Sequence, residues 1–260
     1  MKKISVILLS CSMAVVAQAQ VIDPLTGSLS GYTTTLVLDN SLGVGSGVSF
    51  ASSASGLQAN FVGTVSDPEQ ALFLAPSTSF STTFAVGDRL TVNAAVPVTT
   101  VQMDLGLAIS ATATPTAAGS GNSYNSRPTF DWASISVRPN QNAIRANTSI
   151  SGTVTTSAGV ISSVTPTTVS QLYIDWVSAD VFTLGYIDTS SVSHISETVT
   201  FAGTSTIGTA IGFYSDMRAT ATSLGYLSNL TISPIPEPAT MALCGLGGFL
   251  GLFGWMRRKK

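Results

Sequence analysis

The sequence predicts an all-β protein: an antiparallel β-sandwich, with a signal helix ahead of it and a transmembrane helix behind it. Three observations lead there. Short apolar or alternating segments recur between residues 20 and 233, separated by Gly, Pro, Asn and Asp, as half-buried strands joined by turns do. Ser and Thr make up roughly a quarter of the 260 residues while charged residues make up 9 %, and Thr and Val favour pleated positions. Helical periodicity is nearly absent from the same interval, and strands without helices between them pack as a sandwich. The expected boundaries are a signal peptide over 1–19, a sandwich domain over 20–233 and a tail over 234–260.

The strands can be taken in order. Residues 33–38 read as a strand stopped by Asp39-Asn40, and 43–47 as a glycine-rich loop. Residues 61–65 lead into the turn Asp67-Pro68. Segments 79–86 and 89–98 flank Gly87-Asp88, which reads as a hairpin turn. A strand over 101–110 follows, and 111–127 reads as a long loop rich in Thr, Pro, Gly, Ser and Asn. In 131–137, Trp132, Ser134 and Ser136 fall on one face and Ala133, Ile135 and Val137 on the other. Segments 171–177 and 181–187 straddle Ser178-Ala179-Asp180, a second hairpin, and 197–201, 207–214 and 225–233 complete the set. No internal repeat points to a solenoid or propeller.

The two ends differ from the middle. Lys2 and Lys3 precede an apolar run over 4–16, and Ala17-Gln18-Ala19 puts small residues at −3 and −1, so signal peptidase is expected to cut after Ala19. The competing site, Leu8-Leu9-Ser10-Cys11 with a lipidated Cys11, would leave an apolar core of about seven residues, the low limit for a signal. At the other end, Pro234-Ile235-Pro236-Glu237-Pro238 breaks regular structure, and residues 239–256 carry no charge. A helix of that length rises about 27 Å, close to the ~30 Å hydrocarbon thickness. Trp255 stands where an interfacial aromatic belongs, and Arg257, Arg258, Lys259 and Lys260 form a basic end that stays on the cytoplasmic side.

Pro236-Glu237-Pro238-Ala239-Thr240, a Gly/Leu-rich span and a terminal basic cluster together resemble the PEP-CTERM sorting signal of Gram-negative bacteria. The resemblance covers about the last 26 residues. It implies recognition by an exosortase, a membrane cysteine protease-transpeptidase, in a host that makes exopolysaccharide, and removal of the tail. It also implies membrane anchoring before processing, then residence at the cell surface or in the extracellular matrix. The ordinary alternative is a tail anchor behind a proline-rich linker. Residues 165–233 resemble, as a pattern, the end of laminin-G and concanavalin A-like jelly rolls: the hairpin at Asp180, then Ile211-Gly212-Phe213-Tyr214, then the closing strand 226–232.

Composition excludes several functions. Between the two ends there are five arginines, no lysine and twelve acids, a net charge of −7. Nucleic acid demands clustered cations, so it is not an expected partner, and the negative balance serves solubility. Cys11 and Cys244 both lie in the ends, so the exported part has neither disulfides nor a thiolate metal site. His194 is the one histidine and reads as a surface residue. The glutamates of the exported part are Glu69 and Glu197, no Glu-x-Asp-x-Glu strand motif occurs, and Asp131, Asp175 and Asp180 read as turn formers rather than an acid pair. No catalytic residue and no cofactor is therefore expected. Calcium has only Asp39-Asn40 and Asp67-Pro68-Glu69 as loop donors. Tyr124, Trp132, Tyr173, Trp176, Tyr186 and Tyr214 could stack on sugar rings or fill the core, as aromatics at alternating positions usually do. Two classes of function remain: an exported surface or matrix protein that binds polysaccharide, and an exported carbohydrate-active enzyme with a divergent acid pair.

Overall fold

The structure, a computed structural model, describes residues 18–38, 47–62, 69–112, 130–150, 153–202, 210–217, 221–222 and 225–236. The described residues form β1 (Gln20–Asp23), β2 (Thr33–Leu38), β3 (Gly47–Ser53), β4 (Gly56–Val62), β5 (Glu69–Pro76), β6 (Asp88–Ala95), β7 (Met103–Ser110), β8 (Trp132–Arg138), β9 (Ala143–Ile150), β10 (Thr153–Ser162), β11 (Val169–Ser178), β12 (Val181–Asp188), β13 (Ser193–Thr200), β14 (Ala210–Met217), β15 (Ala221–Thr222) and β16 (Tyr226–Pro234). Three single 3₁₀ turns are the only helical segments among them.

The strands form two antiparallel sheets. The first has nine strands in the order β13-β12-β11-β6-β16-β4-β15, with β1 also paired to β16 and β3 to β4; the second has seven, in the order β10-β9-β8-β7-β14-β5-β2. Between them lies one continuous apolar core. Leu90 and Val92 of β6, Leu172 and Ile174 of β11, and Phe182 and Leu184 of β12 face Leu105, Leu107 and Ile109 of β7, Ile135 and Val137 of β8, and Ile211 and Phe213 of β14. Each buried side chain of this size contributes roughly 1.5–3 kcal/mol, so a core on this scale stabilises a domain that holds no disulfide.

The alternation in β8 is as expected: Ala133, Ile135 and Val137 enter the core, and Trp132, Ser134 and Ser136 take the other face. The β11–β12 hairpin also forms where expected, with Ile174 opposite Leu184. The hairpin expected at Gly87-Asp88 does not. Residues 80–87 carry no strand, and β6 instead pairs with β11 and β16. The Asp88 carboxylate accepts the Ala85 N–H at 3.0 Å and the Asp88 N–H reaches the Ala85 carbonyl at 3.0 Å, so the turn is real but only one arm continues as a strand. Strands β1, β3, β5, β9, β10 and β15 were not expected. The signal helix (1–17), the loop segments 39–46 and 113–127, Asp67-Pro68, Tyr124 and the span 239–256 lie outside the described residues. No described helix is long and apolar enough to cross a membrane.

Candidate functional site: a polar groove and two converging chain ends

The outer face of the nine-stranded sheet is polar by alternation. Arg89, Thr91 and Asn93 of β6 stand opposite Asp175, Tyr173 and Gln171 of β11, because Leu90, Val92, Leu172 and Ile174 between them are committed to the core. The Arg89 guanidinium donates to both Asp175 oxygens, at 2.6 and 2.8 Å. It also lies 4.0 Å from the centre of the Tyr173 ring, which a partly desolvated cation favours. The ring fits because residue 185 is glycine: a Cβ there would run into the Tyr173 ring and the His194 carbonyl. The Gln171 side-chain amide donates to the Asn93 side-chain carbonyl at 2.9 Å, a bond that uses the Gln171 nitrogen and the Asn93 oxygen.

Beside this ladder, β16 carries a bulge. The register slips between Ser228 and Thr231, and Asn229 takes a left-handed φ of 55°, a conformation that Asn tolerates better than most residues. Asn93, Gln171, Asn229 and Thr231 line a groove of about 420 Å³ on this face. Ala19 and Pro236 line it as well. The last residue of the expected signal and the first residue of the Pro-Glu-Pro motif therefore meet at one place, because β1 pairs antiparallel with β16 and sets Gln20 opposite Ile232.

The outer face of the seven-stranded sheet is buried and mixed: Leu72, Leu74, Ala108, Trp132, Ala210 and Tyr214 form an apolar cluster, and a charged cluster lies beside it. The Arg138 Nε bonds Asp104 Oδ1, and its Nη2 lies 2.7 Å from both Asp104 Oδ2 and Asp216 Oδ2. Gln70 adds a bond to Asp216 at 3.4 Å. Burial pushes the Asp104 carboxyl up to about 6; Arg138 opposes the rise and the Asp216 carboxylate adds to it. Removal from water is the larger cause, and the neighbouring Asp216 carboxylate reinforces it, while Arg138 and Arg145 offset part of the rise. Alongside, Trp132 and Tyr214 stack with ring centres 5.9 Å apart. Among the described residues, buried Trp132 Nε1, Ser134 Oγ, Ser149 Oγ and Tyr214 Oη have no hydrogen-bond partner. Burial also pushes the Tyr214 phenol well above its ordinary range.

Of the residues singled out in the sequence, Ala19 and Pro236 are described and adjacent to one groove. Ala17, Glu237, Pro238, Arg257, Arg258, Lys259 and Lys260 lie outside the described residues. Trp132, Tyr173, Tyr186 and Tyr214 are buried and Trp176 packs against the core, so none of these rings is free to stack on a ligand. His194 sits on β13, stacked on Tyr186 with its Nε2 2.9 Å from Asp188 Oδ2. That bond and the N–H groups of Val192 and Ser190 hold the Asp188 carboxyl below its ordinary range. Asp131 accepts the Ala202 N–H at 2.6 Å and Asp175 is taken by Arg89, so neither belongs to an acid pair. The sequence reading missed Asp104 and Asp216, the acids that do converge. The available signal was Arg138, which continues the Trp132-Ser134-Ser136 face and had to find buried counter-charges. Among the described residues, no three His, Cys, Asp or Glu side chains converge to hold a metal.

These features define a two-sheet sandwich of the galectin and lectin type. It resembles a Bacillus subtilis protein of unknown function with a galectin-like fold (TM-score 0.50, 11 % identity, 84 % of this chain and 96 % of that one). It also resembles the exoplasmic/lumenal domain of VIP36 in its Ca2+/Man3GlcNAc-bound form (TM-score 0.51, 10 % identity, 86 % of this chain and 92 % of that one). At those identities the likeness shows fold alone. A family model described as the PEP-CTERM protein-sorting motif matches residues 234–259. The chain carries that sorting motif, which implies an exported protein anchored in the membrane before processing. No curated protein matches the chain.

Proposed function

We propose that the protein is a non-catalytic polysaccharide binder, exported through its signal peptide. In this reading an exosortase cuts its tail and delivers it to the cell surface or matrix of a Gram-negative bacterium. The observation that carries the sorting half is the match at residues 234–259. The binding half rests on the groove. It is lined by side chains that carry both donors and acceptors, Asn93, Gln171, Asn229 and Thr231, the kind of group that pairs with sugar hydroxyls. The VIP36 domain of like fold, in its Ca2+/Man3GlcNAc-bound form, supports the reading.

The enzyme alternative has one observation in its favour. Asp104 and Asp216 each place a carboxylate oxygen 2.7 Å from the same Arg138 nitrogen, so two acids converge on one point, as glycoside hydrolysis needs. Both oxygens of Asp104 are occupied by Arg138, however, and all three side chains are buried. An acid held this way is a structural counter-ion, with no path to protonate a leaving group. The test is binding of the processed protein to exopolysaccharide from its own host, by calorimetry. Asn93→Ala and Gln171→Ala are each expected to weaken binding about tenfold, the worth of about one hydrogen bond, and chelation of calcium to leave it unchanged. No binding by the wild type, or hydrolysis of the polymer abolished by Asp104→Asn, would contradict the reading.

A further inference from the structure

Both membrane-directed segments of this chain leave the sandwich at the same end of the same sheet. β1 begins at Gln20, directly after the expected signal cut, and pairs with β16, whose last residue Pro234 lies opposite Asp88 of β6. The Ile235 N–H donates to the Gly87 carbonyl at 2.8 Å, and the Gly87 N–H donates to the Trp176 carbonyl at 2.8 Å. The chain is therefore fastened to the body of the fold through Ile235. The uncharged run begins only four residues later, at Ala239.

Four residues span at most about 14 Å, and the polar layer on each side of a bilayer is roughly 5–8 Å deep. The fastened end of the sandwich cannot stand more than about 6–9 Å clear of the headgroups. Its rim is apolar at the points nearest the exit. Val86 and Val177, 53 % and 51 % exposed, directly adjoin Gly87 and Trp176, whose backbone groups bond to each other and to Ile235.

We infer that the unprocessed protein rests on the membrane by this end, with Val86 and Val177 in the headgroup layer. The occupant is the lipid surface, argued from the length of the tether and where it ends. The inference rests on the sorting reading above, because it requires residues 239–256 to be in the bilayer. It has a consequence for processing: the sorting enzyme meets the Pro-Glu-Pro motif wedged between the sandwich and the membrane.

The molecule supplies its own control. Val98 and Val192 are equally exposed, at 57 % and 50 %. They adjoin the opposite ends of β6 and β12, where Ala95, Val169 and Thr189 line a separate pocket, roughly 25 Å away along strands of this length. With Cys244 replaced by Ser and Cys11 lost with the signal, single cysteines can be placed at 86, 177, 98 and 192 and labelled with a fluorophore. The full precursor is then reconstituted into phosphatidylethanolamine/phosphatidylglycerol vesicles without the sorting enzyme. Headgroup-borne nitroxide lipid should quench the labels at 86 and 177 severalfold more than those at 98 and 192. A ten-residue Gly/Ser insertion after Ile235 should abolish the difference. Equal quenching at all four sites would overturn the inference, as would quenching at 86 and 177 that appears only once the enzyme is added. Persistence of the difference with the spacer would overturn the role of the tether. Release of the precursor from the vesicles by carbonate would instead sink the sorting reading itself.

Discussion

Arg138 shows most plainly how single residues are constrained here. In an exported domain with few charges, a guanidinium buried on a sheet face must be satisfied by acids, and Asp104 and Asp216 converge on it. Arg138→Met would strip the buried Asp104 and Asp216 of their ion-pair partner, and we expect a loss of about 3–5 kcal/mol in chemical denaturation. Asp104 carries a pH signature. Its folded pKa of about 6 lies above the ordinary 3.8, so the folded state holds its proton more tightly than the unfolded chain does. That contribution is full below about pH 4 and disappears as pH rises through about 6, at most about 3 kcal/mol in all. Asp104→Asn should flatten the stability curve between those values, and an unchanged slope would place the titration elsewhere. Gly185→Ala would push a methyl into the Tyr173 ring. It should cost about 1–3 kcal/mol and displace the Arg89–Tyr173 contact that floors the groove.

Strands were legible where one face is buried and the other polar. β8, β11 and β12 alternate cleanly, and their faces came out as the alternation required. β5 and β9 were not, for a physical reason. In β5 both faces are apolar, with Ala71 and Phe73 in the core and Leu72 and Leu74 in a cluster on the other face, so no period-two signal remains; in β9 the polar Thr148 falls on the core face beside Ala146 and Ile150 and blurs the alternation. β1 was missed because four residues are too few to show a period. The arm 80–87 looked like a strand but pairs with none. It runs into the Gly87 turn, where φ is 94°, and β6 finds its partners across the sheet. The bulge in β16 offers a test at this scale. Asn229→Val forces a β-branched residue to a positive φ and should destabilise by about 1–3 kcal/mol, whereas Asn229→Gly should be nearly neutral by thermal unfolding. Equal effects of the two would mean that the side chain, and not the backbone, matters there.

For the whole molecule, the sorting motif was the most legible part of the sequence and the groove the least. A charge-free stretch framed by Pro-Glu-Pro and Arg-Arg-Lys-Lys is local information, readable without a fold. The Arg89–Asp175 and Arg138–Asp104–Asp216 sites join residues 86, 34 and 78 positions apart, and only the sheet order brings them together. With both cysteines confined to the ends, the processed domain should melt at the same temperature with and without reductant. The measurement that bears most directly on the account is intact-mass and C-terminal peptide analysis of the protein from its native host, with and without the sorting enzyme. We expect everything from about Pro236 onward to be lost only when the enzyme is present. Residues 239–260 retained in both strains would contradict it and leave a plain tail-anchored membrane protein.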